Sequence, residues 1–143
     1  MKTCVLFVSR HTPLPYLIRF IDKRLGGNYK FVTYSSRVDT AETFFRQIVK
    51  PLLNSFDKVI IIPILPLTVI QRLLEIAKET NRVEIWFQVM KEVARVSSEQ
   101  EAIRLVQENP EKRVFQRYRD TIKVFELVSI KRLRDIKIIL EDI

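Results

Sequence analysis

Cysteine, histidine and tryptophan each occur once in this 143-residue chain, and glycine only twice, side by side at Gly26 and Gly27. A single cysteine excludes an internal disulfide, so stability has to come from an apolar core rather than a covalent staple. Cys4 falls inside an apolar run, where a thiol behaves as a small hydrophobe. One histidine and one cysteine leave too few of the usual ligands for a zinc centre, and no metal or other cofactor is expected. The scarcity of glycine removes both the Gly-x-Gly-x-x-Gly turn and the Walker A loop, in which bare backbone wraps a pyrophosphate. Long apolar runs are missing too. The longest, residues 59–67, is broken by Pro63 and Pro66 and falls well short of the about 20 residues that a membrane span requires. Residues 1–9 are apolar but end at Arg10-His11, too short for the core of a secretory signal. These absences predict a cytoplasmic chain with no membrane partner.

Hydrophobic residues make up 47% of the chain and charged residues 29%, a globular rather than a disordered balance. At this length a chain forms about one domain and buries roughly 68–70% of its unfolded surface. The abundance of Ile, Val, Leu, Lys, Arg and Glu, with short proline-bearing loops, suits a thermophilic protein. The net charge is +8, carried as +6 on residues 1–60, −1 on residues 61–109 and +3 on residues 110–143. Such a basic protein can attract nucleic acid or acidic ligands. With no dense basic run, any nucleic-acid binding is expected to be weak and electrostatic.

The order of elements reads as alternating strands and helices. Residues 3–9 and 58–62 are continuously apolar, as in strands buried on both faces. Strands are also predicted over 29–34 and 82–89. Between them lie helices over 15–25, 40–56 and 66–79. The first ends at Gly26-Gly27, the second opens on an Asp39-x-x-Glu42 capping pattern and contains Pro51, and the third follows the proline loop 63–66. This pattern predicts an α/β fold: a Rossmann-like three-layer domain with a parallel sheet of about four strands in the order 2-1-3-4, and helices on both faces. One domain is expected over 1–143, with a βα core over 1–90 and a helix plus antiparallel edge strands over 91–143. In that last third, Ser98 and Glu101 cap a helix, and residues 113–118 and 122–130 read as strands joined by a turn at Arg119-Asp120. Residues 130–142 fit either a strand or a short helix.

In open parallel sheets, ligands bind beyond the carboxyl ends of the strands. That rule selects the loops 9–13, 35–39 and 63–66. The first two hold Ser9, Arg10, His11, Thr12, Ser35, Ser36, Arg37 and Asp39. Two arginines with several hydroxyls suit a phosphate or carboxylate, and His11 is the candidate acid or base if the site is catalytic. The same residues also have plain structural uses, since Ser and Thr cap helices and arginines pair with nearby acids. The tripeptide Arg10-His11-Thr12 resembles the Arg-His-Gly signature of histidine phosphatases, but Thr12 stands where that family needs glycine and there is no second histidine. Near the C-terminus, Arg113, Arg117 and Arg119 alternate with Phe115 and Tyr118. They are candidates for contacting single-stranded nucleic acid, although edge strands also carry such charges to resist aggregation.

Three segments, Phe7-Val8-Ser9-Arg10-His11, residues 37–42 and residues 60–67, together resemble small uncharacterised archaeal proteins of chromosomal, plasmid or viral origin. The resemblance covers about the first 90 residues. It implies a Rossmann-like fold and an archaeal source, and it brings no activity. Three functions therefore stand open. The first is a binding module for a nucleotide or other phosphate-containing ligand. The second is a small enzyme acting on such a ligand through His11 with Arg10 and Arg37. The third is a structural or interaction protein, a homodimer joined through the apolar strand at 121–130 or the helix beside it.

Overall fold

The two continuously apolar runs become the centre of a sheet. In the computed structural model, residues 2–136 and Glu141 are described. Strand β1, Thr3–Val8, lies between β2, Tyr29–Tyr34, and β3, Lys58–Pro63, and pairs in parallel with both. Strand β4, Val83–Val96, pairs in parallel with β3 over Val59↔Val83 to Ile61↔Ile85. Strand β5, Arg113–Arg117, forms an antiparallel hairpin with β6, Ile122–Arg132. The hydrogen-bonded order is β2-β1-β3-β4-β6-β5.

The fold is thus α/β, and the predicted order 2-1-3-4 holds for the parallel part. The four-strand parallel Rossmann arrangement with helices on both faces does not. The sheet has six strands and is mixed. The reason lies in β4, which does not stop at Val89 but runs on to Val96. Beyond Phe87 its residues are only partly buried or exposed, as far as the buried Val96. The charged residues Lys91, Glu92 and Arg95 therefore hide the strand from a search for apolar runs. The strand at 121–130 was expected at a sheet edge. It lies instead between β4 and β5, and β5 pairs with its residues from Ile122 to Glu126. The edge strand on that side is β5, and on the other it is β2.

The described chain divides into two compact units. The first holds the residues up to His11, Asn28–Phe87, and those from Arg132 onward; the second holds Thr12–Gly27 and Gln88–Lys131. In the first, Cys4, Leu6, Val8, Val59, Ile61, Val83 and Ile85 form one buried sheet face. Two helices pack on that face. Helix α2 starts at Ala41–Phe44, passes through a π-helical turn at Phe45–Val49 and ends at Lys50–Leu52; helix α3 is Leu67–Ala77. Their contributions are Ala41, Phe44 and Val49, then Ile70, Leu73, Leu74 and Ala77. The opposite face of the strands, Val5, Phe7, Ile60 and Ile62, is buried as well, which accounts for the unbroken apolar runs.

Local chemistry sets the helix ends. Thr40 caps α2, its Oγ1 accepting from the Thr43 amide at 3.1 Å. The expected cap, Asp39, pairs with Arg37 instead. Pro51 has no N–H and its ring would press on the carbonyl four residues back, so the wider π turn just before it relieves a clash in the helix interior. The guanidinium of Arg82 then closes the end of α2, donating to the carbonyls of Leu53, Phe56 and Asp57 at 2.6–2.9 Å.

The second unit contains helix α1, Pro15–Leu25, which ends at Gly26 with φ +66°, a left-handed conformation natural to glycine. Helix α4, Glu99–Gln107, is capped by Ser98, whose Oγ accepts from the Glu101 amide at 3.2 Å. Ala102 of α4 packs with Val96 and Val124. Arg19 pairs with Glu111, and the Lys112 ammonium lies 4.5 Å from the centre of the Tyr16 ring. Residues 135 and 136 form no regular element, and the predicted strand or helix beyond them falls largely outside the described residues.

Candidate functional site

The parallel strands end flush. In register, Val8 of β1 stands beside Tyr34 of β2 on one side and Pro63 of β3 on the other. Pairing continues one residue past the ends: the Ser9 amide donates to the Tyr34 carbonyl at 3.1 Å, and the Ile64 amide donates to the Val8 carbonyl at 2.9 Å. Three loops therefore leave the sheet at the same level. They enclose a cleft of about 280 Å³ lined by Val8, Ser9, Arg10, His11, Tyr34, residues 35–38, Ile64 and Leu65.

Six of the eight polar residues of the two candidate loops meet there: Ser9, Arg10, His11, Ser35, Ser36 and Arg37. Thr12 is exposed but does not line the cleft. Ser9 is spent partly on its own loop, its Oγ accepting from the His11 amide at 3.0 Å, which fixes the direction in which the chain leaves β1. Arg37 pairs with Asp39 at 3.2 Å, but the two side chains are 82% and 74% exposed. Such a pair contributes little and yields readily to a stronger anion. Among the described residues Arg10 has no acidic partner, and no carboxylate lines the cleft. The cleft is therefore a concave, positively charged site with hydroxyls on two sides.

Polar patterning pointed to two of these walls and missed the third. Ile64 and Leu65 carry no polar group, and only the strand-end rule had marked their loop. Tyr34 and Val38 also line the cleft and bear no site signal, since each reads as an ordinary half-buried residue. Tyr34 meets Phe44 edge-on, with ring centroids 5.4 Å apart, which ties the floor of the cleft to α2.

The other candidates are placed elsewhere. Arg113 is largely buried and donates to Glu126 at 3.0 Å, to the Leu105 carbonyl at 2.9 Å and to Glu108 at 3.3 Å. Its guanidinium, then Asn109, hold the Glu126 carboxyl below the usual carboxylate range. Arg117 pairs with Glu99. Arg119 lies exposed in the turn beyond β5 rather than on the strand. The three do not form one cationic row. Cys4 is wholly buried, and that burial pushes its thiol pKa up and keeps it protonated. Among the described residues no cluster of three or more His, Cys, Asp or Glu could hold a metal ion, and no helix is long and apolar enough to cross a membrane. No family model, curated protein or solved structure matches the chain.

Proposed function

We propose that the chain binds a small phosphate-containing ligand, nucleotides included, in the cleft at the carboxyl ends of β1, β2 and β3. The observation behind this reading is the convergence of Arg10, His11, Ser35, Ser36 and Arg37 on one concavity that no carboxylate lines. Arginine is suited to phosphate because its planar fork donates two parallel hydrogen bonds and keeps its charge at any physiological pH. The serines add neutral donors. The grip is made by side chains, because neither loop contains a glycine that would let bare backbone approach the phosphate.

Isothermal titration with inorganic phosphate and with AMP tests the reading. Each charge-assisted hydrogen bond contributes about 1.5–3 kcal/mol. Arg10→Ala and Arg37→Ala should each weaken binding roughly ten- to a hundredfold while leaving the melting temperature within a few degrees. Absence of binding by either anion at millimolar concentration would refute the proposal.

A further inference from the structure

Resting on the anion-site reading above, we infer that the ligand is a phosphate monoester carried on a flat apolar ring, of the nucleoside monophosphate or aryl phosphate class. The phosphate lies between Arg10 and Arg37, and the ring lies against Ile64.

The walls of the cleft differ in kind. Two carry all the charge and the hydroxyls; the third is Ile64 and Leu65. Ile64 is 45% exposed, and Leu67, at the start of α3, is 57% exposed. Few large apolar side chains among the described residues are so open, and these two sit three residues apart, one in the loop after β3 and one in the first turn of α3. Their exposure is not that of a loose segment. The Ile64 amide is fixed to the Val8 carbonyl at 2.9 Å, and the flanking Pro63 and Pro66 restrict the backbone on either side. A bare phosphate would leave the Ile64 side chain in water and gain nothing from it. A ring attached to that phosphate would cover it.

Size and grip narrow the class further. A volume of about 280 Å³ lies just below the usual range of small-molecule clefts, roughly 300–1,000 Å³. That is room for one ring system and one phosphate, not for two nucleosides. A bridging pyrophosphate is held by backbone amides in glycine-rich turns, and both loops here lack glycine. A terminal monoester carries about −1.5 to −2 charges and three free oxygens, a match for two separate arginines and serine hydroxyls lining the same cleft.

The test is calorimetric titration of the full chain with inorganic phosphate, glucose 6-phosphate, phenyl phosphate and AMP, on the parent protein and on Ile64→Thr and Arg10→Ala. Phenyl phosphate and AMP should bind about tenfold more tightly than inorganic phosphate and glucose 6-phosphate. Ile64→Thr, at an exposed position, should erase that preference, read as the ratio of AMP to inorganic phosphate affinity within the same variant. Arg10→Ala should weaken all four ligands alike. If glucose 6-phosphate binds as tightly as AMP, or if the preference survives Ile64→Thr, the ring site is wrong and the anion site stands. If none of the four binds, the anion site is wrong and the ring site falls with it.

Discussion

Glu84 shows how much one side chain can depend on its neighbours. Its carboxylate is only 7% exposed, although it sits on a sheet strand among apolar neighbours. Two cations reach it from the surface: Lys58 from the first residue of β3, and Arg132, at 3.1 Å, from the last residue of β6. Both cations are about half exposed and can return to water. The carboxylate cannot. Removing the acid and removing the bases should therefore have unequal effects. Glu84→Gln leaves two hydrated cations behind and should cost about 1 kcal/mol. Lys58→Met combined with Arg132→Met strands a buried charge and should cost roughly 3–5 kcal/mol. Urea unfolding of the two variants measures the difference, and equal losses would contradict this account. A lone glutamate between Val83 and Ile85 gives no hint in sequence of a partner from Arg132, 48 positions on. The site residues were easier to read, because polar loops that follow apolar strands are visible locally.

Elements are tied together by exposed or half-buried carboxylates whose acidity is altered by their partners. Arg72 on α3 holds the Glu42 carboxyl of α2 below its ordinary range, with a contact of 2.5 Å. Arg19 on α1 does the same to Glu111, and Arg113 on β5 to Glu126 on β6. In each case the folded state favours the charged form. The added stability is present above the unfolded carboxyl value, about 4.3 for glutamate, and is lost as pH falls through the lower folded value. Thermal unfolding should accordingly be flat between about pH 5 and 7 and decline below about pH 4. Glu42→Gln, Glu111→Gln and Glu126→Gln together should flatten that decline, and an unchanged acid profile would show that these pairs do not couple to folding. At this scale the sequence was legible wherever a local rule sufficed. The runs at β1 and β3, Gly26 after α1 and Ser98 before α4 all read correctly. The rules failed where a tertiary partner decided the outcome. Asp39 lost the cap to Thr40 because Arg37 engages it, and the second half of β4 is strand because β6 lies beside it.

For the molecule as a whole, the charge of +8 is less available than it looks. Arg113 and Arg117, which sequence offered as a basic strand, are engaged by glutamates. Any hold on nucleic acid should come from diffuse attraction with few aligned phosphate contacts. Each such contact steepens the salt dependence by a slope of about −0.9 on duplex. Fluorescence anisotropy with a labelled duplex should show binding that is weak at about 50 mM salt, indifferent to sequence and absent by about 200 mM. Tight binding that persists at high salt would overturn this. The candidate cleft was half legible at this scale. The strand-end rule located it, but the shared level of the strand ends comes from the register of β1 with both neighbours, which no single segment encodes.

That register also determines which changes in chain length the molecule can absorb. The walls of the cleft hang from Val8, Tyr34 and Pro63. An extra residue in the exposed stretch 35–37 lengthens a tether between two fixed posts, and loop entropy changes only slowly with length. An extra residue inside β2 turns every side chain after it to the other face. Such an insertion before Phe31 would take that ring from its stacked partner Phe7, 6.0 Å away, and lift Ser35 off the level of Ser9. Variation in length among chains of this fold should therefore gather in the loop that lines the cleft and stop abruptly at Tyr34, so that the surface most free to change is bounded by the strands least free to change at all.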